Sequence, residues 1–279
     1  MLLLLSVMVC TLSGQEKKGE TIGERIVANA YNADSIRGIL DKMPYFTLFK
    51  DNYFVGGTTL GHKPTAANSD VKFQLSIAQR LTKSKLPFDT YLFIQYTQKA
   101  FWNVFQESLP MKDLNFNPGI GLGHLIVYHN KYIGKGYLML EHESNGKDSI
   151  WSRSWNKISF MGALAVDRNV ELQFKTWIPI IDSGNNRDIL KYCGIFQLAG
   201  SYISDNRRFG ATVILTKRSG WNFNFNTVIE LNARLFPNEN QYFFIQYYNG
   251  YGEGLLDYNK FHSRLRVGFV IKPQNFSNY

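Results

Sequence analysis

Helical periodicity, cysteine and long apolar runs are all scarce in this chain, and each scarcity excludes something. Two of its 279 residues are cysteine, Cys10 and Cys193. Cys10 falls in a leader that reads as removed, so a disulfide framework is excluded for the remainder. The apolar run in MLLLLSVMVCTLSGQEKK is too short to span a bilayer as a helix. Apolar residues followed by small residues and charge fit an export signal over 1–15, although the usual basic start is missing. Residues 16–44 read as an N-terminal extension leading into one domain over 45–279. The formal net charge is +9, yet the basic residues form no arm or cluster. No nucleic-acid partner is expected, whereas an anionic membrane surface or lipopolysaccharide suits a scattered basic surface.

What the chain has in abundance is alternation. In VKFQLSIAQRL (71–81), Val71, Phe73, Leu75 and Ile77 share one face, with Lys72, Gln74 and Ser76 on the other. ELQFKTWIPI (171–180) sets Leu172, Phe174, Thr176 and Ile178 against Gln173 and Lys175. RLRVGFVIK (264–272) sets Leu265, Val267, Phe269 and Ile271 against Arg266 and Gly268. A period of two marks strands whose faces meet unlike environments. Such segments begin near 45, 71, 90, 118, 132, 154, 169, 190, 209, 224, 241 and 262. They number about twelve and run to about ten residues, against about five or six in soluble proteins and the 9–11 or so that a tilted strand needs to cross a bilayer. Aromatic residues make up 15% of the chain, and large amphipathic rings collect at membrane interfaces. Even count, long strands and short turns alternating with longer loops together predict an all-β fold, a transmembrane antiparallel β-barrel of twelve strands. A soluble β-sandwich fails on strand length.

The same parity places candidate chemistry. Through GYLMLEHESNG (136–146), Leu138, Leu140, His142 and Ser144 share one face and Tyr137, Met139 and Glu141 the other. The histidine and serine therefore continue the apolar, lipid-facing side, where polar groups are costly unless they work there. On the next strand Asn156 shares its face with Ile158, Phe160 and Leu164. A hairpin would bring the three polar residues together on the outside of the barrel. A serine hydroxyl needs a base within hydrogen-bond reach, which His142 can supply. Asn156 can accept from the ring N–H and hold the tautomer. A backbone N–H near Gly146 is available to an oxyanion. The loop NGKDSIWSRS offers carbonyl and hydroxyl oxygens of the kind that calcium prefers. The competing reading is a catalytically silent pore or structural barrel, its lumen lined by Lys72, Gln74, Lys157, Gln173 and Lys175.

At HESNG (142–146) and SRSWN (152–156) the chain resembles the outer membrane phospholipase A family of Gram-negative bacteria. VKFQLS (71–76), YTQKAFW (96–102), NGYGEGLLDYN (249–259) and RVGF (266–269) extend the likeness from about residue 45 to the C-terminus. The resemblance implies a twelve-stranded outer-membrane barrel that hydrolyses sn-1 and sn-2 acyl esters of phospholipids and lysophospholipids. It implies calcium dependence and activity as a homodimer, with the active site facing the outer leaflet. It makes Ser144 the nucleophile, His142 the base, Asn156 the orienting residue and Gly146 the oxyanion donor. Calcium would bind the Lys147 carbonyl and Ser152 on one subunit and the Ser108 carbonyl of the other. Gln98, in the YTQK motif, would belong to the dimer contact, and its outward parity agrees. The departures are Lys147, where an arginine is common, Glu143 between the catalytic pair, and KDSIW (147–151) in the loop.

Overall fold

The computed structural model describes residues 38, 40–128, 131–180, 184, 186–237, 239–273 and 278–279. The expected signal over 1–15 and nearly all of the extension over 16–44 lie outside them. Thirteen strands form the sheet: β1 (Phe46–Leu48), β2 (Asn52–Thr59), β3 (Ser69–Arg80), β4 (Tyr91–Trp102), β5 (Met111–Tyr128), β6 (Lys131–Ser144), β7 (Ser154–Ala165), β8 (Val170–Ile180), β9 (Phe196–Ile203), β10 (Phe209–Lys217), β11 (Phe225–Arg234), β12 (Gln241–Gly250) and β13 (His262–Ile271). Each of β2–β13 pairs antiparallel with its sequence neighbours, and β13 pairs with β2. The result is a closed ring of twelve strands, which leaves no sheet edge to face hydrocarbon.

Three expected strand starts shift. The strand expected near 45 is present but broken: β1 pairs with β3 at Gln79, Ala78 and Ile77, then β2 resumes at Asn52. Phe49, in the break, turns into a buried cluster with Tyr91, Phe93 and Met139. The strand expected near 118 begins at Met111, because the polar inward residues Asp113 and Asn115 extend it into the mouth of the barrel. The strand expected near 190 begins at Phe196, since ILKYC instead forms a short helix, α1 (Ile189–Cys193). Ile189 is fully buried against Trp155, Leu255 and Tyr258, and Gly194 at φ +90° ends the helix.

Inside and outside are inverted relative to a water-soluble protein. Leu75, Leu140, Phe160, Leu172 and Phe269 are exposed, whereas Lys72, Gln74, Gln173, Lys175 and Arg266 are buried. The lumen is closed by its own side chains and by the β12–β13 loop, which folds inward. Glu253 of that loop accepts from Lys72 Nζ at 3.1 Å and Arg266 Nη1 at 2.6 Å. Arg266 also donates from Nε to Asp70 Oδ1 at 2.7 Å, and Arg264 bonds the same carboxylate. The backbone N–H groups of Leu255 and Leu256 donate to Asn115 Oδ1 and Asp113 Oδ2. Gly57 makes room for Arg266: a Cβ there would sit 2.0 Å from the Leu265 carbonyl oxygen and 2.7 Å from Arg266 Cγ. A cavity of 230 Å³ remains, lined by Lys50, Lys99, Glu141, Glu230 and Gln246 among others.

Removing one partner from a buried ion pair leaves the other charge uncompensated. Glu253→Leu is expected to destabilise the barrel by about 3–5 kcal/mol, measured by equilibrium denaturant unfolding in lipid vesicles. Adding Lys72→Met should recover part of the loss; an unchanged midpoint in the single variant would contradict the role given to this web.

Candidate active site

His142, Ser144 and Asn156 lie at the end of β6 and the start of β7, on the rim shared with the β12–β13 loop. The β6–β7 register pairs His142 with Asn156 and Ser144 with Ser154. Parity turns all three outward, beside the exposed Leu140 and Ile158. His142 Nδ1 is 2.8 Å from Asn156 Oδ1. That oxygen only accepts, so Nδ1 carries the proton and Nε2 presents its lone pair. Ser144 follows two residues on, along the same face.

The backbone ladder is incomplete around these groups, and side chains take its place. On one side β5 pairs Gly119 with Glu141 and then Phe116 with Ser144, with no ladder pair at Asn117 or Pro118. Proline has no N–H to give, and the Asn117 side-chain amide donates to the His142 carbonyl at 3.0 Å. On the other side the described β7–β8 ladder includes the pair Asn156↔Ile180. Beyond it the buried Asn186 receives Ser154 N–H at 3.3 Å and donates to the Ser154 carbonyl at 3.0 Å.

The connecting loop is organised around Asn145, which is buried. Its amide donates to the Trp151 carbonyl at 2.9 Å, and its Oδ1 accepts from the N–H of Arg153 at 2.9 Å and of Lys147 at 3.4 Å. Asn145 carried no chemical role in the sequence reading; the Asn–Gly pair at a strand end was its one signal, as a turn. Gly146 adopts φ +63°, a conformation that disfavours side chains, and a Cβ there would meet Phe116 at 2.9 Å. The expected metal-binding residues sit on this rim. Lys147 and Asp148 line a pocket with Gly146 and Trp151, and Ser152 caps the 3-10 turn Ser149–Trp151. Ser108 stands apart in the β4–β5 loop at φ +62°. Carbonyl, hydroxyl and the adjacent Asp148 make an all-oxygen donor set, which fits a hard cation. Among the described residues no group of three or more His, Cys, Asp and Glu could hold a metal.

Gln98 is aligned with this site. Leu75, Gln98, Phe116, Ser144 and Ser154 pair successively across β3–β7 and form one row on the outer face. Gln98 is thus two strands from Ser144, about 10 Å at the usual strand spacing. Cys193 is no rival nucleophile. Burial, then the nearby Glu143 charge, pushes its thiol up to about 12, far from thiolate formation at neutral pH.

A family model described as phospholipase A1 matches residues 43–271. The phospholipase A1 of Salmonella typhimurium is 31% identical over 222 residues, spanning 77% of this chain and 73% of the relative. That of Shigella flexneri is 32% identical over 214 residues, spanning 74% and 71%. Outer membrane phospholipase A from Escherichia coli superposes with a TM-score of 0.71 at 27% identity, covering 81% of this chain and 98% of that one. The outer membrane phospholipase dimer of Salmonella typhi, solved with bound calcium, superposes with a TM-score of 0.73 at 26% identity, covering 91% and 100%.

Truncating Asn145 would leave buried backbone groups without partners, at about 1–3 kcal/mol. Asn145→Ala should therefore accelerate amide hydrogen exchange across 146–153 while leaving the barrel strands protected. Unchanged exchange in that loop would mean that other contacts hold it.

Proposed function

Because the chain belongs to the phospholipase A1 family, we propose that it is a calcium-dependent serine hydrolase of the outer membrane, cleaving sn-1 and sn-2 acyl esters of phospholipids and lysophospholipids. The carrying observation is the 2.8 Å contact between His142 Nδ1 and Asn156 Oδ1 on a lipid-facing surface, with Ser144 alongside. The domain assignment follows: signal over 1–15, extension over 16–44, and phospholipase barrel over 45–279.

In this reading Ser144 Oγ attacks the acyl carbonyl while His142 Nε2 takes the hydroxyl proton. Asn156 keeps the proton on Nδ1 and stabilises the imidazolium by accepting from it. The Gly146 N–H faces the developing oxyanion. Collapse of the tetrahedral intermediate expels the lipid alkoxide, which receives its proton from His142. Water, deprotonated by the same imidazole, then hydrolyses the acyl-enzyme and releases the fatty acid. A calcium ion would be held by the Lys147 carbonyl and Ser152, with the Ser108 carbonyl of a second copy, and would supply positive charge beside the oxyanion.

Acyl esters lie at the boundary of headgroup and hydrocarbon, and an outward site at the rim meets them there without extracting the lipid. A site facing the outer leaflet fits the barrel's rim of long loops. A homodimer through the face bearing Gln98 would set a second copy at the depth of Ser144, and would complete the cation site from both subunits. The alternative, a passive pore, is disfavoured by a lumen filled by Glu253, Arg266, Lys72 and the inward loop.

Folded protein in mixed detergent–phospholipid micelles should release fatty acid with calcium present and lose that activity in chelator. Ser144→Ala should lower turnover by at least about 10³-fold, and Asn156→Ala by more than about 10-fold but less than the serine change. Undiminished release by Ser144→Ala would overturn this assignment. Crosslinking in the same samples should capture dimer whenever activity is present, and full activity in strictly monomeric protein would remove dimerisation from it.

A further inference from the structure

Glu143 and Trp155 face each other across β6 and β7, inside the barrel, at the one register position between His142↔Asn156 and Ser144↔Ser154. Glu143 Oε2 accepts from Trp155 Nε1 at 3.0 Å and from Lys157 Nζ at 3.1 Å. Lys157 Nζ also lies 4.4 Å from the centre of the Trp155 ring and 5.7 Å from that of Trp177. Trp155 is buried and packs with Ile189, Leu255 and Tyr258. Glu141, Lys99 and Lys175 line the same cavity, and Lys175 is already paired with Glu141 at 2.9 Å. One carboxylate oxygen thus ties together two positions of β7, beside the stretch where β6 lacks ladder partners on β5 at Asn117 and Pro118.

We propose that Glu143 is a positioning residue for the reaction, acting through the sheet: its lumenal bonds to Trp155 and Lys157 hold β6 and β7 in the alignment that His142, Ser144 and Asn156 need outside. This rests on the assignment of those three residues given above. The reason is the strand's period of two. Glu143 lies between His142 and Ser144, and Trp155 between Ser154 and Asn156, so a backbone shift at either inner position carries its two outer neighbours with it. Slippage by one residue would turn the outer set into the lumen, and a displacement near 1 Å costs on the order of 10²-fold in rate. The inner clamp sits on the side of the sheet that lipid does not reach, and it holds the catalytic groups without placing a further charge beside the substrate.

The experiment compares wild type, Ser144→Ala, Glu143→Gln, and the double variant Glu143→Leu with Lys157→Met, which removes the clamp without stranding a buried ammonium. Each is assayed for kcat and KM on micellar phospholipid with calcium, and for folding by heat-modifiable gel mobility. The double variant, folded, should lose about 10-fold to 100-fold in kcat with KM nearly unchanged. Glu143→Gln, which keeps an acceptor for Trp155 Nε1, should recover most of that loss. A folded double variant with wild-type kcat would overturn the proposal, and so would Glu143→Gln as impaired as the double variant. Ser144→Ala separates the two levels: if it alone is inactive the hydrolase assignment stands whatever Glu143 does, and if it retains activity that assignment falls first.

Discussion

A strand crossing hydrocarbon must satisfy every backbone N–H and carbonyl from within the protein, and the rest of this structure depends on that constraint. The closed ring from β2 to β13 meets it. Closure in turn sorts the side chains by parity: apolar residues to lipid, polar residues to the lumen. A lumen that receives Lys72, Asp70, Glu253 and Arg266 can be stable only if the charges pair, and they do, in one connected web that also pulls the β12–β13 loop inward. The plugged interior is thus a consequence of the exterior, since the same pleat that feeds lipid on one side feeds charge to the other.

The proposed catalytic residues stand at the rim, where this constraint relaxes. The ladder between β5 and β6 lapses at Asn117 and Pro118. Freed backbone groups there need partners, and Asn117 and Asn186 provide them with side-chain amides. Asn145 does the same within the connecting loop. Such side-chain ties fix local geometry as a ladder would, yet they leave backbone of the loop open to a cation or an oxyanion. A site built wholly within the ladder would have no such carbonyls or N–H groups to offer.

The orientation of the site also follows from the pleat. His142 and Asn156 are polar groups on a surface otherwise made of Leu138, Leu140, Ile158 and Phe160. One hydrogen bond joins them, and a rim position suits polar groups, because desolvation at the headgroup level costs less than at mid-membrane. Gln98 stands in the row of Ser144 on the same outer face, where a second copy could bury it and the proposed catalytic edge together. Regulation by association would then need no moving part.

The fold class was legible because period-two alternation is a local property, and a lipid exterior makes it stark. The outward facing of His142, Ser144 and Asn156 came from the same counting, and HESNG with SRSWN carried the family. Tertiary structure alone decided the partners inside. Lys72 and Glu253 are 181 positions apart, and Asp113 meets the N–H of Leu256 across 143; no local pattern encodes such a pairing, because ring closure creates the proximity. The break at Phe49, the helix at Ile189–Cys193 and the service of Asn186 to Ser154 belong to the same class. Each answers to burial or to an unpaired backbone group that exists only once distant strands have met. Sequence by itself determined which face each residue would take; the tertiary structure decided the register and the company on each face, because register is set by pairing between segments and parity by the chain alone.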